Sequence, residues 1–364
     1  MPERYSDTEI KPRSRRQRKS SDRGASLNDV ARQAKVSTAT VSRVLNNPEK
    51  VAEKSRLMVQ AAIDQLGYIP DGVARALASN HTGAIGAVVP TLDNAIFAAG
   101  VQGFQSRLKK LGYTVILASH EYDLEEEFNE VKTLLRQGID ALLLVGSIHD
   151  PRLPKLLEEK KTAYVNCWSY KPNSSQPYIG FDNKNAAKVL TDYLLDLGHR
   201  DIAVIVGRTR NNDRAMDRLR GIRQAIEERN LELPQHRILE RSYTVKQGRE
   251  AMRVLLQNST PPTAVMCGND ILALGALAEC QSVGIRVPEE LSITGFDDLD
   301  ISAQIIPPLT TIHVPLAEMG ELAANFLVSQ INNESTLLHT EMKTELMVRG
   351  TTAKPRSSFT VGKL

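Results

Sequence analysis

The stretch Ser37 to Arg43 reads STATVSR. It sets hydroxyls at Ser37, Thr38, Thr40 and Ser42 and a guanidinium at Arg43, with the small Ala39 among them. Hydroxyls bond phosphate oxygens and base edges, and an arginine can grip guanine with two hydrogen bonds. A second chemical set lies farther on, where apolar runs end: Asp93 and Phe97, Asn166 and Trp168, Phe181 and Asp182, Asn269 and Asp270, Asp297 and Asp298. Carboxylates, amides and aromatic faces around a cleft suit a hydroxyl-rich ligand, with Arg214 or Arg218 to hold a hydroxyl or carboxylate. Neither set is a catalytic constellation. The chain has no GxSxG, HExxH, GxxxxGK[ST] or GxGxxG, and its seven histidines are scattered. Taken singly, each strand-end Asp or Asn would serve as well as a helix cap.

The elements that would position the first set follow from local pattern. Ser26 is a plausible N-cap for a short amphipathic helix, Leu27 to Ala34, with Leu27, Val30, Ala31 and Ala34 on its apolar face. Lys35-Val36-Ser37 makes a tight turn. Thr38 to Leu45 then forms a second helix with Val41, Val44 and Leu45 turned inward and the hydroxyl-rich face outward. This is a helix-turn-helix, whose second helix needs small residues at its start to approach a DNA groove. A third helix, Lys54 to Leu66, is expected to bury Leu57, Met58, Ala61, Ala62 and Leu66 and to stop at Gly67. Beyond Pro70, Val73 to Ala78 favour a helix of about two turns, too short to be stable without DNA or a partner copy.

Charge separates the two ends of the chain. The 364 residues carry a net charge of +3, yet residues 1–80 hold 15 Lys and Arg against 9 Asp and Glu, and the remainder 31 against 34. A basic front on a mildly acidic body fits a polyanion at one end only. Lys11 to Gly24, KPRSRRQRKSSDRG, has no apolar periodicity and reads as a disordered arm. The first residues lack the apolar centre of a secretory signal, and no apolar run is long enough for a bilayer, so a cytoplasmic location and no membrane partner are expected. Cys167, Cys267 and Cys280 are odd in number and widely spaced, which points to reduced buried thiols with neither disulfide framework nor metal site. No cofactor is expected.

From Gly83 the pattern changes. AIGAVVP, TVILAS, ALLLVGS, TAYVNC, IAVIVG, AVMCGND and LSITGFDD alternate with amphipathic helices, as in parallel sheets covered by helices on both faces. Residues 83–352 are long enough for two such lobes. Ligands of such folds bind beyond the carboxyl ends of the strands, where the second chemical set lies.

Residues 26–352 resemble the lactose-repressor (LacI/GalR) family of transcription regulators. The resemblance is carried by LNDVARQAKVSTATVSRVLNN, VARAL at Val73 to Leu77, LGHRDIAVIVG, RLRG, CGNDILALGAL, VPEELSITGFDD and PPLTTI. It implies a homodimer whose paired helix-turn-helix units read a near-palindromic operator in double-stranded DNA, under control of a small-molecule effector. By the same resemblance Thr38, Ala39 and Arg43 fall where bases are read, and Ser37, Thr40 and Ser42 where phosphates are met. Asn46 joins this DNA-binding set, and Leu77 with Ala78 enters the central minor groove, kinking it. Phe97, Asn166, Phe181, Asp182, Arg218, Asn269 and Asp297 match effector contacts, with Arg214 and Trp168 completing the pocket set.

The implied fold is an N-terminal all-α helix-turn-helix domain followed by a two-lobed α/β body of the periplasmic-binding-protein type. Its divisions are an arm at 1–25, the helix-turn-helix domain at 26–70 and a hinge helix and linker at 71–82. The body spans 83–352, with one lobe at about 83–182 and 312–341 and the other at about 183–311 and 342–352, and a tail follows at 353–364. The implied role is repression of sugar or sugar-acid catabolism. The chain departs from the family in its longer basic arm and in Asp71-Gly72 at the hinge entrance, and the polar segment after Thr352 has no leucine heptad for a tetramer. A periplasmic sugar-binding protein would share the body, but it needs a signal peptide and has no use for residues 26–80.

Overall fold

The computed structural model describes residues 24–46, 48–69, 81–258 and 260–356. The hinge residues from Asp71 to Ala78, Leu77 among them, most of the basic arm and the end of the tail lie outside that set. The chain divides into two compact units, 1–82 and 83–364.

The first unit closes around three helices, α1 (Leu27–Ala34), α2 (Thr38–Asn46) and α3 (Glu53–Leu66). Its start is fixed by a capping box in which Ser26 Oγ accepts from the Asp29 amide while the Asp29 carboxylate accepts from the Ser26 amide. Lys35 adopts the left-handed conformation (φ 52°) that ends α1, and Ser37 caps α2 by accepting the Thr40 amide at 3.1 Å. The core joins Val30, Ala31 and Ala34 of α1, Val41 and Val44 of α2, and Val59 and Ala62 of α3.

The third helix corrects the expectation from its sequence. Of the five residues expected inside, only Ala62 is buried; Leu57, Met58, Ala61 and Leu66 are exposed, Val59 is buried in their place and Ile63 is half-buried. Apolar residues surround much of this helix, so periodicity singles out no face. The choice falls to the face that fits the small side chains of α1.

The second unit holds two parallel sheets. One has the order β11-β5-β4-β3-β1-β2, from β1 (Ala84–Val89), β2 (Thr114–Ser119), β3 (Ala141–Val145), β4 (Ala163–Cys167), β5 (Tyr178–Gly180) and β11 (His339–Glu341). The other has the order β7-β6-β8-β9, from β6 (Ile202–Gly207), β7 (Ile238–Arg241), β8 (Ala264–Cys267) and β9 (Ser292–Thr294). A short antiparallel pair, β10 (Thr311–His313) with β12 (Glu345–Met347), completes the strands among the described residues. The central strands β1, β3, β6 and β8 are apolar along almost their whole length because helices cover both of their faces.

The helices that matter for the cleft start where strands end. They are α4 (Ala95–Lys110), α5 (Leu124–Arg136), α6 (Leu153–Lys160), α7 (Asn183–Leu197), α8 (Asp213–Glu228), α9 (Val245–Leu256) and α10 (Asp270–Ser282). After a five-residue α11 (Asp300–Gln304), α12 (Leu316–Ile331) packs on α4. Strand ends from both sheets therefore face each other across one cleft. Asn94, Asp123, Asp182, Asn212, Thr244 and Asn269 cap the helices that follow them, so capping and lining are combined in the same loops.

Candidate DNA-reading face and effector cleft

On α2 the residues at Ser37, Thr38, Ala39 and Arg43 are exposed, and Thr40 and Ser42 are half-buried. The Ser37 and Thr40 hydroxyls lie 2.9 Å apart. Arg43 makes no ion pair or hydrogen bond among the described residues, so its five donors point to solvent. Asn46 is the last residue of the helix. The structure thus presents the hydroxyl-rich face and its arginine together, on the side of α2 opposite Val41 and Val44.

In the cleft, five of the expected residues belong to one connected floor. Phe97 meets Trp168 edge-on, with ring centroids 5.4 Å apart. The Trp168 carbonyl accepts from Asn183 Nδ2 at 2.8 Å, and Asn183 Oδ1 in turn accepts from Arg218 Nε at 2.9 Å. The Arg218 guanidinium also donates to the Gly268 carbonyl and to Asp297 Oδ1, and it lies 3.7 Å above the Phe296 ring. Phe181 stacks against the same Phe296, with ring centroids 6.2 Å apart. All five side chains are buried. Burial pushes the Asp297 carboxyl up to about 8, against the opposing pull of Arg218 and with the help of nearby Asp270.

The other four expected residues are placed differently. Asn269 caps α10 by accepting the Leu272 amide, next to the Gly268 carbonyl that Arg218 holds. Arg214 is buried against Asp213 and the Val145 carbonyl. Asp182 is exposed and caps α7. Asn166 is engaged inside the first lobe, where its Oδ1 meets His149 Nε2 at 3.0 Å and its Nδ2 donates to Gln176.

None of the nine lines the open cavity of the cleft, which holds about 450 Å³. Its walls include Asp93, Asn94, Glu121, Tyr122 and Asp123 from the strand ends of the six-stranded sheet. Facing them are Arg208, Arg210, Asn212, Arg241 and Tyr243 from the four-stranded one. One wall is acidic and the other basic. Tyr243 connects cavity to floor: burial raises its phenol, while Arg218, Asn212 and Arg214 beside it pull the other way. Four buried polar atoms around this region have no hydrogen-bond partner among the described residues, namely Asn94 Nδ2, Trp168 Nε1, Asn269 Nδ2 and Asp297 Oδ2.

Sequence reasoning missed Tyr122, Tyr243 and the three arginines. The strand-end rule does reach them, because they follow β2, β6 and β7. For Arg241 and Tyr243 the obstacle was β7, whose four residues, ILER, are too short and too polar to announce a strand. Tyr122, Arg208 and Arg210 lie one to three residues past the ends of β2 and β6 and simply were not singled out there. Among the described residues no group of histidines, cysteines or carboxylates is placed to hold a metal ion, and no helix is long and apolar enough to cross a membrane.

A helix-turn-helix unit and a two-lobed body with a polar cleft, joined in one chain, define a DNA-binding transcription regulator. Residues 26–71 match the model of the bacterial regulatory proteins, lacI family, and residues 191–352 that of the periplasmic binding protein-like domain. Over 314 residues the chain is 37% identical to the HTH-type transcriptional repressor PurR of Salmonella paratyphi B, which spans 85% of this chain and 91% of the relative. Among solved structures it is similar to the lac repressor dimer bound to operator and the anti-inducer ONPF, with a TM-score of 0.81, 27% identity and coverage of 91% of this chain and 100% of that one. It is similar also to the transcriptional regulator CelR in complex with cellobiose, with a TM-score of 0.66, 30% identity and coverage of 90% and 99%. The chain belongs to the lacI family of bacterial regulatory proteins.

Proposed function

We propose that the protein is a cytoplasmic, homodimeric repressor that reads a near-palindromic operator and responds to a small, hydroxyl-rich anion such as a sugar acid. Thr38, Ala39 and Arg43 contact bases, Ser37, Thr40, Ser42 and Asn46 contact the backbone, and Leu77 with Ala78 enters the minor groove at the centre. Repression, rather than activation, is supported by the relative in Salmonella that is named a repressor. A sugar-like ligand is supported by a structural relative solved with cellobiose.

The observation that carries the ligand class is the basic wall of the cavity. Arg208 and Arg210 are exposed and make no ion pair among the described residues, and Arg241 stands beside them. Three guanidiniums attract an anion, while Asp93, Glu121 and Asp123 opposite them accept hydrogen bonds from hydroxyls. A sugar acid carries both groups. Tyr122 and Tyr243 add aromatic faces with hydroxyl tips.

Thermal-shift measurements against sugars, sugar acids and purines test this reading, because a ligand that binds only the folded chain raises its melting temperature. A sugar acid is expected to raise it, and the hit should change affinity for an operator fragment at fixed salt. Stabilisation by purines alone would overturn the ligand class. Equal affinity for operator and random DNA would overturn the operator reading.

A further inference from the structure

The first turn of α8 sends its side chains into the opposite lobe. Asp213 Oδ2 accepts from the Ser147 amide at 2.8 Å, from Ser147 Oγ at 2.8 Å and from Ser169 Oγ at 2.6 Å. Its Oδ1 accepts from Arg214 Nη1 at 2.8 Å, and the same nitrogen lies 3.3 Å from the Val145 carbonyl. Ser147 and Ser169 follow β3 and β4 of the six-stranded sheet, whereas Asp213 follows β6 of the other, so these bonds tie the two lobes together. Two further ties cross nearby, from Asn211 Nδ2 to the Tyr122 carbonyl and from Lys171 Nζ to Asp217, each at 3.1 Å.

The first lobe is shaped for this carboxylate. Gly146 takes a left-handed conformation (φ 97°), and a Cβ there would stand 2.1 Å from Arg214 Nη1 and 2.6 Å from Asp213 Oδ1. Only glycine leaves that space. A backbone amide and two hydroxyls converging on one carboxylate oxygen, with a guanidinium on the other, are the contacts by which a protein binds a free carboxylate. Burial would raise the Asp213 carboxyl, but Arg214, Ser169 and Ser147 together hold it below the usual range.

We propose that Gly146, Ser147 and Ser169 form a carboxylate-binding cradle whose occupant is the protein's own Asp213, which holds the cleft shut from within. This rests on the reading of the cleft as the effector site, and it adds a regulatory rule to it. A carboxylate ligand reaches these donors only by displacing Asp213. Because Asp213 is tethered, it competes at an effective concentration in the millimolar range or above, and dilute carboxylates leave it in place.

Hydrogen exchange of the full chain, read in peptides that cover Ser147 and Ser169, tests the proposal. Asp213→Ala is expected to speed exchange there by about tenfold or more, since the Ser147 amide loses its acceptor and the lobes their tie. Sodium formate at about 100 mM should restore protection in that variant and sodium chloride at the same strength should not, while in the parent protein the Ser147 amide has a carboxylate acceptor already and its protection should change with neither. In Asp213→Asn the cradle stays filled, so formate should have no effect. Slow exchange in Ala84–Val89 shows that the fold is intact. Should Asp213→Ala fail to fold, Ser169→Ala removes one donor and keeps the carboxylate; faster exchange at Ser147 is expected, and unchanged exchange would overturn the tie. The proposal also falls if Asp213→Ala exchanges like the parent protein, or if formate does not reverse its opening. The measurement uses neither DNA nor effector, so its failure and the failure of a ligand screen are separate results.

Discussion

Arg43 stands exposed on α2 and makes no ion pair or hydrogen bond among the described residues. Arg218 is 3% exposed and spends its guanidinium on Asn183, Gly268, Asp297 and the Phe296 ring. The two arginines occupy the two regions expected to recognise something, and their surroundings are opposite. A DNA-reading arginine must keep its donors free until a base edge arrives, and water satisfies them at little cost meanwhile. A buried arginine has no water to fall back on, so the protein itself must fill its donors before any ligand does. Recognition by the first is therefore separable from stability, whereas recognition by the second is not.

The comparison is put under most strain by Arg218→Ala. Removing the guanidinium leaves the Asn183, Gly268 and Asp297 oxygens without their donor, a loss of about 1 to 3 kcal/mol for each buried acceptor. Chemical denaturation of the second unit should show it, with α1 to α3 unaffected in exchange rates. A loss below about 1 kcal/mol would place Arg218 among freely available ligand donors, like Arg43.

Asp297 separates the regions by pH. Its carboxyl titrates near 8 in the folded chain and near its ordinary value, about 4, in the unfolded chain. Between those values the folded form keeps a proton that the unfolded form releases, so stability is fully present at acid pH and falls as pH rises toward 8. Asp297→Asn cannot titrate. Its stability relative to the parent should therefore improve from pH 5 to pH 8, by about 3 to 4 kcal/mol. A difference that is flat with pH would mean that Asp297 is ionised in both states.

The same contrast explains what could be read from the sequence. The boundaries of α1 and the turn after it were legible because Ser26, Asp29, Lys35 and Ser37 act within a few residues of themselves. The strands β1, β3, β4, β6 and β8 were legible because each lies in a run of neighbouring apolar residues. The strands β5, β7, β10, β11 and β12 are three or four residues each, and pairing with distant partners is what makes them strands. In the cleft, Arg218 and Asp297 could be named from a strand-end rule and a family resemblance. The role of Asp213 could not, since an acid in the first turn of a helix looks like an ordinary dipole partner until Ser147 and Ser169 are seen across the gap. The buried face of α3 escaped because its apolar residues leave several faces available.

Arg43→Ala tests the exposed side of the comparison. It should cost about 1 to 3 kcal/mol of discrimination at one base pair in each half-site, if the guanidinium meets guanine with two bonds. Stability should change by less than about 0.5 kcal/mol, as for other exposed positions without partners. Operator-library selection with parent and variant measures the first quantity and denaturation the second. Unchanged base preference would remove Arg43 from the reading set.

The smallest effect comes from matching cap removals in the two units. Ser26→Ala deletes the oxygen that accepts the Asp29 amide at the start of the eight-residue α1, and Thr244→Ala deletes the one that accepts the Gln247 amide at the start of α9. Each removes about 1 kcal/mol of local stability. The consequences should differ because the first unit buries a far smaller core than the second. For a domain of its size that loss lowers the melting temperature by roughly 4 to 8 °C, against about 2 to 4 °C for a larger one. Exchange rates in α1 should rise throughout the first unit, since three short helices depend on one another for burial. Rates near Thr244 should rise only around the start of α9. Equal and local responses to both substitutions would show that the first unit draws stability from beyond its own three-helix core.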